Sequence, residues 1–450
     1  MVQRRYLPNT EQDRKDMLES IGVNDIMELF ETVPEDVRIN EKMDLPDQLS
    51  EYELVKYFNE LANKNTNSSQ VPFFLGAGTY DHHIPNLVHH ITSRQEFLTA
   101  YVPYQPEVSQ GELQAMFEWQ TMICELTGME VTNSGMYDGF NAVAEAANLA
   151  KGSNKKGTKV LVSGAVHPQA IENLDTYGYT RDYEVEVIDT KADVTDLDDL
   201  KSKLDPKETV AVVVQYPNFF GSIEDIKAIA DLVHETKAEL IVSSNPLALG
   251  KLEAPGKLGA DMVVGDVQPF GIPMSVGGPH AGYLAVKKSL TRKLPSRIIG
   301  HTYDSDGEEG FVMALSTREQ HIRREKATSN YSSNQALFGL TSAITMSVLG
   351  KEGIQEVAQR NITNAHYLAK KVEEAGFELV NESPYFNEFS VKLNKDIAEV
   401  NSALLEKGYV GGYDASDAYG EENIYLLCAT EKRTKEEMDE FVNALAEVAK

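Results

Sequence analysis

Short runs of apolar residues alternate with helical patterns through the middle of the chain. Several of these runs are continuously apolar, as in strands that are buried on both faces of a sheet. Because helical patterns separate them, the sequence predicts a mostly parallel α/β sheet with right-handed crossovers over residues 70–330. The predicted strands are Lys159–Ser163, Tyr183–Ile188, Thr209–Gln215, Glu239–Ser243, Asp261–Val264 and Tyr283–Val286.

The chain follows other patterns on either side of this α/β region. Residues 1–69 are predicted as a helical arm, with a helix capped by Thr10 and a polar linker at its end. Residues 331–450 are predicted as a small α+β domain, joined by a helix near Ser333–Leu349. In that domain Phe389, Val391 and Leu393 alternate as in a half-exposed strand, and Thr434 and Glu437 form a capping box that opens the last helix.

Two further capping boxes are predicted from the spacing of hydroxyl and carboxylate residues. Ser109 and Glu112 are expected to open a helix that ends at Gly128. Ser316 and Glu319 form the second predicted box, and Glu319 and Arg323 are spaced to pair across one helical turn.

Composition excludes several classes of partner. The formal net charge of −28 argues against nucleic acid or an anionic membrane, because both need clustered basic residues. No apolar run approaches the ~18 residues that a membrane span requires. No secretory signal is apparent, so a bacterial cytoplasm is expected, with Cys124 and Cys428 as buried thiols. The adjacent pairs His82-His83 and His89-His90 have no obvious third ligand, so no metal is expected.

A glycine- and proline-rich loop follows the fifth predicted strand, in the segment Gly259–Pro273 and on through Val276–Gly282. This layout resembles the segment that carries the Schiff-base lysine in pyridoxal phosphate (PLP) enzymes of the aspartate aminotransferase fold. There is no lysine from Leu258 to Val286, and Gln268 stands where the resemblance would place one. An amide cannot form an imine with an aldehyde cofactor, so this chain is not expected to hold PLP covalently.

Two other positions bear on the same expectation. A PLP ring needs a carboxylate near its pyridine nitrogen, and the fourth predicted strand ends instead in Ser243 and Ser244. His167 follows the first predicted strand, where a ring-stacking histidine would lie. A structural, hydrogen-bonded role for His167 is an equally good interpretation.

Three stretches carry a more specific resemblance, namely Phe74–Pro85, Thr99–Leu113 and Ser316–Asn330. With Arg5–Thr10 they closely resemble the N-terminal half of the glycine-cleavage P-protein family, over essentially the whole chain. In that family some bacteria divide the enzyme into two homologous chains, and this one resembles subunit 1. The resemblance implies an obligate complex with subunit 2, as an α2β2 heterotetramer. Subunit 2 would carry the PLP lysine, glycine would be decarboxylated, and the aminomethyl group would pass to the lipoyl arm of the H-protein.

The loop Tyr101–Glu107 is stiffened by two prolines and precedes the predicted helix at Ser109. It displays polar groups from a rigid backbone, which suits either a site or an interface. The alternative is a domain-joining loop whose tyrosines are satisfied internally. We favour a site that faces the PLP of the partner, with His167 as a further candidate and the loop's own candidates being Tyr101, Tyr104, Gln105 and Glu107.

A locally basic segment stands out on this acidic chain. It is interpreted as a subunit contact or a docking patch for an acidic H-protein, with a salt-bridged surface helix as the alternative. The interface candidates are Arg318, Arg323, Arg324 and Lys326.

Three functions remain open from the sequence. The chain could be a P-protein subunit that completes the active site of its partner, or a non-catalytic scaffold of the same complex. An independent PLP aminotransferase or decarboxylase is the third reading, and Gln268, Ser243 and Ser244 count against it.

Overall fold

The structure is a computed structural model that describes residues 8–39, 41, 43–327, 329, 331 and 335–450. The contacts between residues divide the chain into two units, Met1–Thr66 and Asn67–Lys450. The predicted arm boundary at residue 69 lies close to this division. The predicted boundary between the large and small domains at residues 330 and 331 stays a prediction.

The N-terminal unit is made of short helices. Helix α1 spans Glu11–Ile21 and α2 spans Glu51–Ala62, with 3-10 turns at Ile26–Phe30 and Glu35–Val37 between them. The predicted cap is confirmed, since Thr10 accepts a hydrogen bond from the backbone of Asp13. None of the described residues from 8 to 66 is buried, although many of them are apolar.

In the described part of the second unit, fifteen strands build the sheets. They are β1 Val131–Thr132, β2 Lys159–Ser163, β3 Glu184–Ile188, β4 Thr190–Lys191, β5 Val194–Thr195, β6 Thr209–Tyr216, β7 Glu239–Ser244, β8 Met262–Asp266, β9 Gly282–Val286, β10 Ile298–Tyr303, β11 Glu309–Ala314, β12 Glu378–Leu379, β13 Glu388–Lys392, β14 Tyr413–Asp414 and β15 Ile424–Cys428. The central sheet has the order β1-β9-β8-β7-β6-β2-β3. The five strands β8, β7, β6, β2 and β3 run parallel to one another. Strand β9 pairs antiparallel with both β8 and β1.

Helices cover both faces of this sheet and extend into the C-terminal region. They are α3 Asn86–Thr92, α4 Gln95–Leu98, α5 Gln110–Thr127, α6 Gly139–Ser153, α7 Pro168–Arg181, α8 Leu197–Lys203, α9 Ile226–Val233, α10 Pro255–Leu258, α11 Gln320–Arg323, α12 Ala336–Glu374, α13 Ile397–Glu406, α14 Ser416–Tyr419 and α15 Lys435–Ala449. Short 3-10 turns lie at Ala248–Gly250, Ser275–Gly277, Lys288–Lys293, Ser316–Arg318 and Arg324–Lys326. No helix within the described ranges is both long and apolar enough to cross a membrane.

The predicted strands of the α/β region are confirmed, and their ends shift by at most two residues. Their side chains divide between two apolar cores, one on each face of the sheet. Within β6, for example, Val212 and Val214 join one core while Ala211 and Val213 join the other. This explains the continuously apolar runs, since consecutive residues of a strand point to opposite faces.

Several local predictions are wrong. The strand around Phe389 is buried rather than half-exposed, because both of its faces are covered. Phe389 and Val391 pack in the core of the C-terminal region, while Glu388 and Ser390 on the other face hydrogen-bond to other segments. The joining helix is much longer than predicted, with 39 residues and a non-helical Gly350 inside it. The box at Thr434 and Glu437 is confirmed. The other two predicted boxes do not form, because neither Ser109 nor Ser316 caps a helix with its side chain.

Candidate functional site

A cleft lies at the edge of the sheet where the parallel strands β2, β6, β7 and β8 end. This edge is where α/β sheets usually bind ligands. The polar residues that line the cleft, among apolar ones, are His167, Gln215, Ser243, Ser244, Asn245, Asp266, His280, Asn387 and Glu388. The structure therefore brings together three of the residues that the sequence singled out, His167, Ser243 and Ser244.

Gln268 lies just beyond the end of β8 and is only 1% exposed. Its amide is fully used by the protein itself. The Oε1 atom accepts a hydrogen bond from the backbone N–H of Tyr80 at 3.1 Å. The Nε2 atom donates to the carbonyl oxygens of Tyr80 at 2.9 Å and Ile272 at 3.0 Å. Gln268 thus connects the segment around Tyr80 to its own loop, and each polar atom of its amide has a partner within the protein.

The end of β7 provides hydroxyl groups and no charge. Ser244 is buried, and its Oγ lies 2.9 Å from the hydroxyl of Tyr283. Ser243 is half-buried and lines the cleft. Burial raises the pKa of Tyr283 above its usual range, so its hydroxyl stays protonated. Neither serine can balance a positive charge on a bound ring.

Asp266, at the end of β8, provides a carboxylate at this edge of the sheet. It was not among the site residues predicted from the sequence. Its Oδ1 accepts from the backbone of Gln268 at 2.9 Å and its Oδ2 from the backbone of Gly139 at 3.1 Å. The Nδ1 of His280 lies 3.2 Å from Oδ2. Burial lowers the pKa of His280, but its hydrogen bond to Asp266 and the charges of Asp266 and Asp138 outweigh burial and raise it.

The N-terminus of α6 opens onto the same cleft, and two carboxylates already satisfy it. Asp138 caps the helix by accepting from the backbone of Asn141 at 2.7 Å, while Asp266 accepts from Gly139. A helix N-terminus normally attracts anions because of its free N–H groups and its dipole. Here the negative charges of Asp138 and Asp266 occupy that position and would repel a phosphate.

His167 is held as a neutral ring. Its Nε2 lies 3.1 Å from the carbonyl oxygen of Ala77, and its Nδ1 accepts from the backbone of Gln169 at 3.2 Å. Burial lowers the pKa of His167 to about 4, although the hydrogen bond to Ala77 opposes this shift. The imidazole also packs against Phe140 and Phe219, with ring centroids 4.5 Å and 4.8 Å away. Aromatic side chains of the protein therefore already flank the ring.

Glu388 closes the cleft from the small sheet. Its Oε1 accepts from the backbone of Ala77 at 2.6 Å, and its Oε2 accepts from the hydroxyl of Tyr80 at 2.8 Å. Burial raises the pKa of Glu388 to about 7. Gly76 is required beside it, because a Cβ atom there would lie 2.1 Å from Oε1.

The sequence was compared with known protein families and with curated proteins. The family model of the glycine cleavage system P-protein matches residues 4–445. This chain belongs to the glycine cleavage system P-protein family. It is 56% identical, over 97% of both chains, to a Brevibacillus brevis protein named probable glycine dehydrogenase (decarboxylating) subunit 1. A protein of the same name from Halalkalibacterium halodurans is 54% identical over 97% of this chain and 98% of its own length.

Solved structures agree with this membership and with the predicted fold. An inhibitor-bound glycine decarboxylase (P-protein) of the glycine cleavage system aligns with a TM-score of 0.90 and 40% identity, over 99% of this chain and 100% of the other. An aspartate aminotransferase from Thermus thermophilus aligns with a TM-score of 0.57 at 16% identity, over 84% of this chain and 99% of that one. The P-protein family member described here thus has the PLP fold type I, as expected from the sequence.

PLP is the group that this fold implies, and the residues of the cleft do not fit it. Covalent PLP binding needs an amine, a carboxylate at the ring nitrogen and a site for the phosphate. Here Gln268 provides an amide in place of an amine, and that amide is already hydrogen-bonded within the protein. Ser243 and Ser244 provide no charge, and Asp138 and Asp266 place negative charge at the helix N-terminus. We derive no chemistry through PLP in this cleft.

The loop Tyr101–Glu107 presents most of its predicted site residues to solvent. Tyr101 is 94% exposed, and Gln105 and Glu107 are exposed as well. Tyr104 is half-buried, and the guanidinium of Arg297 lies 4.0 Å from the centre of its ring. Burial raises the pKa of Tyr104 to about 12, although Arg297 opposes the shift. The loop therefore offers exposed polar groups with one anchored phenol among them.

Tyr104 belongs to a group of polar residues that the sequence did not reveal. We call this group the Tyr104 cluster, and its members are Tyr104, Glu112, Arg297 and Glu319. The charges of the other three members act on the Tyr104 phenol. Glu112 and Glu319 are buried. Both had been assigned to capping boxes, so their buried positions could not be recognised from local spacing.

The basic segment is not uniform. Arg323, Arg324 and Lys326 are exposed, as an interface would require. Arg318 is mostly buried and donates hydrogen bonds to the backbone carbonyls of Leu294 and Ser296. It lies 3.6 Å from Glu319, and the predicted pairing of Glu319 with Arg323 is absent among the described ion pairs. Arg318 therefore braces the fold, and only the other three remain interface candidates.

Proposed function

We propose that this chain acts as subunit 1 of the glycine-cleavage P-protein and completes an active site on a second, homologous subunit. The partner would hold PLP through its own lysine, and the complex would decarboxylate glycine. The remaining aminomethyl group would pass to the lipoyl arm of the H-protein. An α2β2 assembly is the proposed stoichiometry.

One observation carries this proposal. Gln268 has three hydrogen bonds within the protein at the position where the fold would place an amine. A P-protein chain with such a cleft needs another source of PLP, and the names of its curated relatives as subunit 1 support a second chain. The exposed loop Tyr101–Glu107 supports a contribution to that chain's site, because its polar groups have no cofactor to serve here.

A non-catalytic scaffold is the second candidate, and the N-terminal unit favours it. No described residue from 8 to 66 is buried, and its exposed side chains include Phe30, Leu54 and Phe58. So much exposed apolar surface is typical of a segment that binds another protein. Size-exclusion chromatography should show that the chain self-associates alone and forms a defined complex with subunit 2. A monodisperse monomer that ignores subunit 2 would count against both candidates.

Reconstitution separates the two candidates. Subunit 2 is assayed with PLP, H-protein and glycine for exchange of labelled bicarbonate, with and without this chain. We expect exchange only when both subunits are present. Variants of loop residues then distinguish the roles, since a scaffold tolerates changes that leave assembly intact. Full exchange by subunit 2 alone would overturn the proposed function.

A further inference from the structure

Two amide side chains at the edge of the sheet point their NH₂ groups away from the protein's own hydrogen bonds. Gln215, at the end of β6, accepts at its Oε1 from the backbone N–H of His167 at 2.9 Å. Asn245, just after β7, accepts at its Oδ1 from the backbone N–H of Leu247 at 3.0 Å. A backbone N–H can only donate, so these bonds fix the oxygen of each amide and leave its NH₂ group on the other side.

These NH₂ groups are free donors in the cleft. Neither of them has an acceptor in the part of the chain that the structure describes, and the hydroxyl of Ser243 makes no hydrogen bond there either. Gln215, Ser243 and Asn245 all line the cleft and are only partly buried. None of their polar atoms is among the buried ones that lack a partner. A molecule in the cleft can therefore reach them.

A carboxylate lies at the other end of the cleft. The side chain of Asp266 is 19% exposed, and it lines the cleft from the end of β8. Its Oδ1 atom accepts one hydrogen bond, from the backbone of Gln268. A carboxylate oxygen can accept two, so one position on Oδ1 is open to a donor in the cleft.

Both ends of the cleft lie on one face of the sheet. Asp266 follows Val264 by two residues and Gln215 follows Val213 by two, and both valines belong to the same core. Because side chains alternate along a strand, Asp266 and Gln215 also project from that face. Strand β7 separates β8 from β6, so the bases of the two side chains are about 9–10 Å apart. A hydrogen bond of about 2.9 Å at each end leaves roughly 4 Å for a small ligand.

The charges of the cleft select among small ligands. The described residues that line it include no lysine or arginine, and His280 is paired with Asp266, so an anion would find no free cation. A simple cation would leave the amide donors unused. A zwitterion satisfies both ends, because its ammonium can donate to Asp266 while its carboxylate accepts from the NH₂ groups.

We propose that the cleft binds a small α-amino acid without a covalent bond. Its ammonium would lie on Asp266, and its carboxylate on Gln215, Ser243 and Asn245. Glycine is the amino acid that the proposed function supplies, so the choice of glycine rests on that function, whereas the site rests on the cleft. The site belongs to this chain and requires neither PLP nor subunit 2.

The test titrates the isolated chain, prepared without PLP, with glycine, acetate and methylamine in ligand-observed NMR. We expect saturable binding of glycine with a Kd in the micromolar to millimolar range, which is what a ligand of so few atoms allows. Acetate and methylamine each carry only one of the two charged groups, so each should bind at least about tenfold more weakly. Acetate or methylamine binding as tightly as glycine would overturn the proposal, and so would the absence of saturable glycine binding.

Two isosteric variants locate the bound glycine. Gln215→Glu and Asn245→Asp keep the oxygen that accepts from the backbone, and they replace the NH₂ donor with a negatively charged oxygen. Each should weaken glycine binding by about tenfold or more, because the ligand's carboxylate is repelled. Gln355→Glu makes the same change of charge at an exposed position of α12 and should keep the wild-type affinity. Wild-type affinity in both cleft variants would overturn the proposal.

Thermal unfolding gives an independent readout on the same proteins. Glycine should raise the melting temperature of the wild type and of Gln355→Glu more than that of either cleft variant, because only a ligand of the folded cleft stabilises it by mass action. Equal shifts in all four proteins would mean that glycine acts through the solvent, and the proposal would be wrong. The two cleft substitutions lie on different segments, so one remains informative if the other impairs folding.

Two further outcomes have their own signatures. If PLP added to the isolated chain displaces glycine from the cleft, the cleft is a cofactor site and the proposal is wrong. Failure of the proposed function is seen elsewhere, because subunit 2 would then show full bicarbonate exchange without this chain. The glycine titration contains no subunit 2, so its result does not depend on that assay.

Discussion

The cofactor cleft and the Tyr104 cluster differ in how their polar groups are satisfied. In the cleft, the side chains of Gln268 and Asp266 make hydrogen bonds to backbone groups of the protein itself. In the Tyr104 cluster, Glu112 and Arg297 each keep a buried polar atom without a described partner. Unsatisfied buried polar groups are costly and rare, so the two in the cluster set it apart from the cleft. These polar groups of the cleft serve the fold, whereas two polar atoms of the cluster have no described partner.

The largest expected effect lies in the loop above the cluster. Tyr104→Phe and Glu107→Gln in the assembled complex should lower the exchange rate by ~10²–10⁴ if the residue transfers a proton, and less if it only orients a ligand. The melting temperature of the complex should stay near that of the wild type, since Glu107 is exposed and Tyr104→Phe keeps the ring on Arg297. Exchange and thermal unfolding are measured on the same preparations. Unchanged rates in both variants would make the loop structural and favour the scaffold.

A lysine placed in the cleft should not restore a cofactor site. Gln268→Lys removes three hydrogen bonds and buries an ammonium, so we expect a loss of stability on the order of 3 kcal/mol or more. No PLP-dependent activity should appear, because Ser243 and Ser244 still provide no carboxylate. Denaturant unfolding measures the loss, with Gln169→Lys on the exposed face of α7 as the control. A stable variant that forms an aldimine would show that the cleft is open.

The contribution of Glu388 to the stability of the isolated chain should fall as the pH rises from about 4.5 to about 7. Glu388 has a folded-state pKa raised to about 7 from its usual 4.5, so the folded state binds this proton more tightly. The stabilisation is complete below pH 4.5 and is lost as the pH rises through 7. Glu388→Gln should flatten this dependence by about 1–3 kcal/mol in denaturant unfolding at pH 5 and pH 8. An unaltered slope would mean that Glu388 is ionised in the folded chain.

The smallest effect on stability is expected at Tyr101. Its side chain is 94% exposed, so Tyr101→Ala should change the free energy of unfolding of the isolated chain by less than about 0.5 kcal/mol. The same variant should still weaken assembly or exchange, because an exposed tyrosine is a common anchor of an interface. Titration with subunit 2 measures this. If neither binding nor exchange changes, the exposed end of the loop lies outside the proposed site.

The sequence was a good guide wherever the signal was periodic or chemical. Mostly apolar runs located the strands from Lys159 to Val286, because strands buried on both faces have few polar positions. The absence of lysine around Gln268 pointed to the altered cleft. Both inferences depend on which residue types are present, and these can be read without coordinates.

Other features depend on contacts between distant segments and could not be read. Glu388 reaches the cleft from a strand more than 300 residues beyond Ala77 and Tyr80. The strand Glu388–Lys392 was predicted as half-exposed because its alternation gave no information on the elements that cover it. Glu112 and Glu319 were assigned to caps, since local spacing does not reveal that a carboxylate turns inward.

The central claim is that the partner holds the cofactor while this chain supplies the loop. It is tested most directly by borohydride reduction of the reconstituted complex with PLP, followed by peptide mapping of both subunits. We predict one phosphopyridoxyl group per pair of subunits, carried on a lysine of subunit 2, and no stoichiometric label on this chain. A stoichiometric adduct on any lysine of this chain would contradict the account.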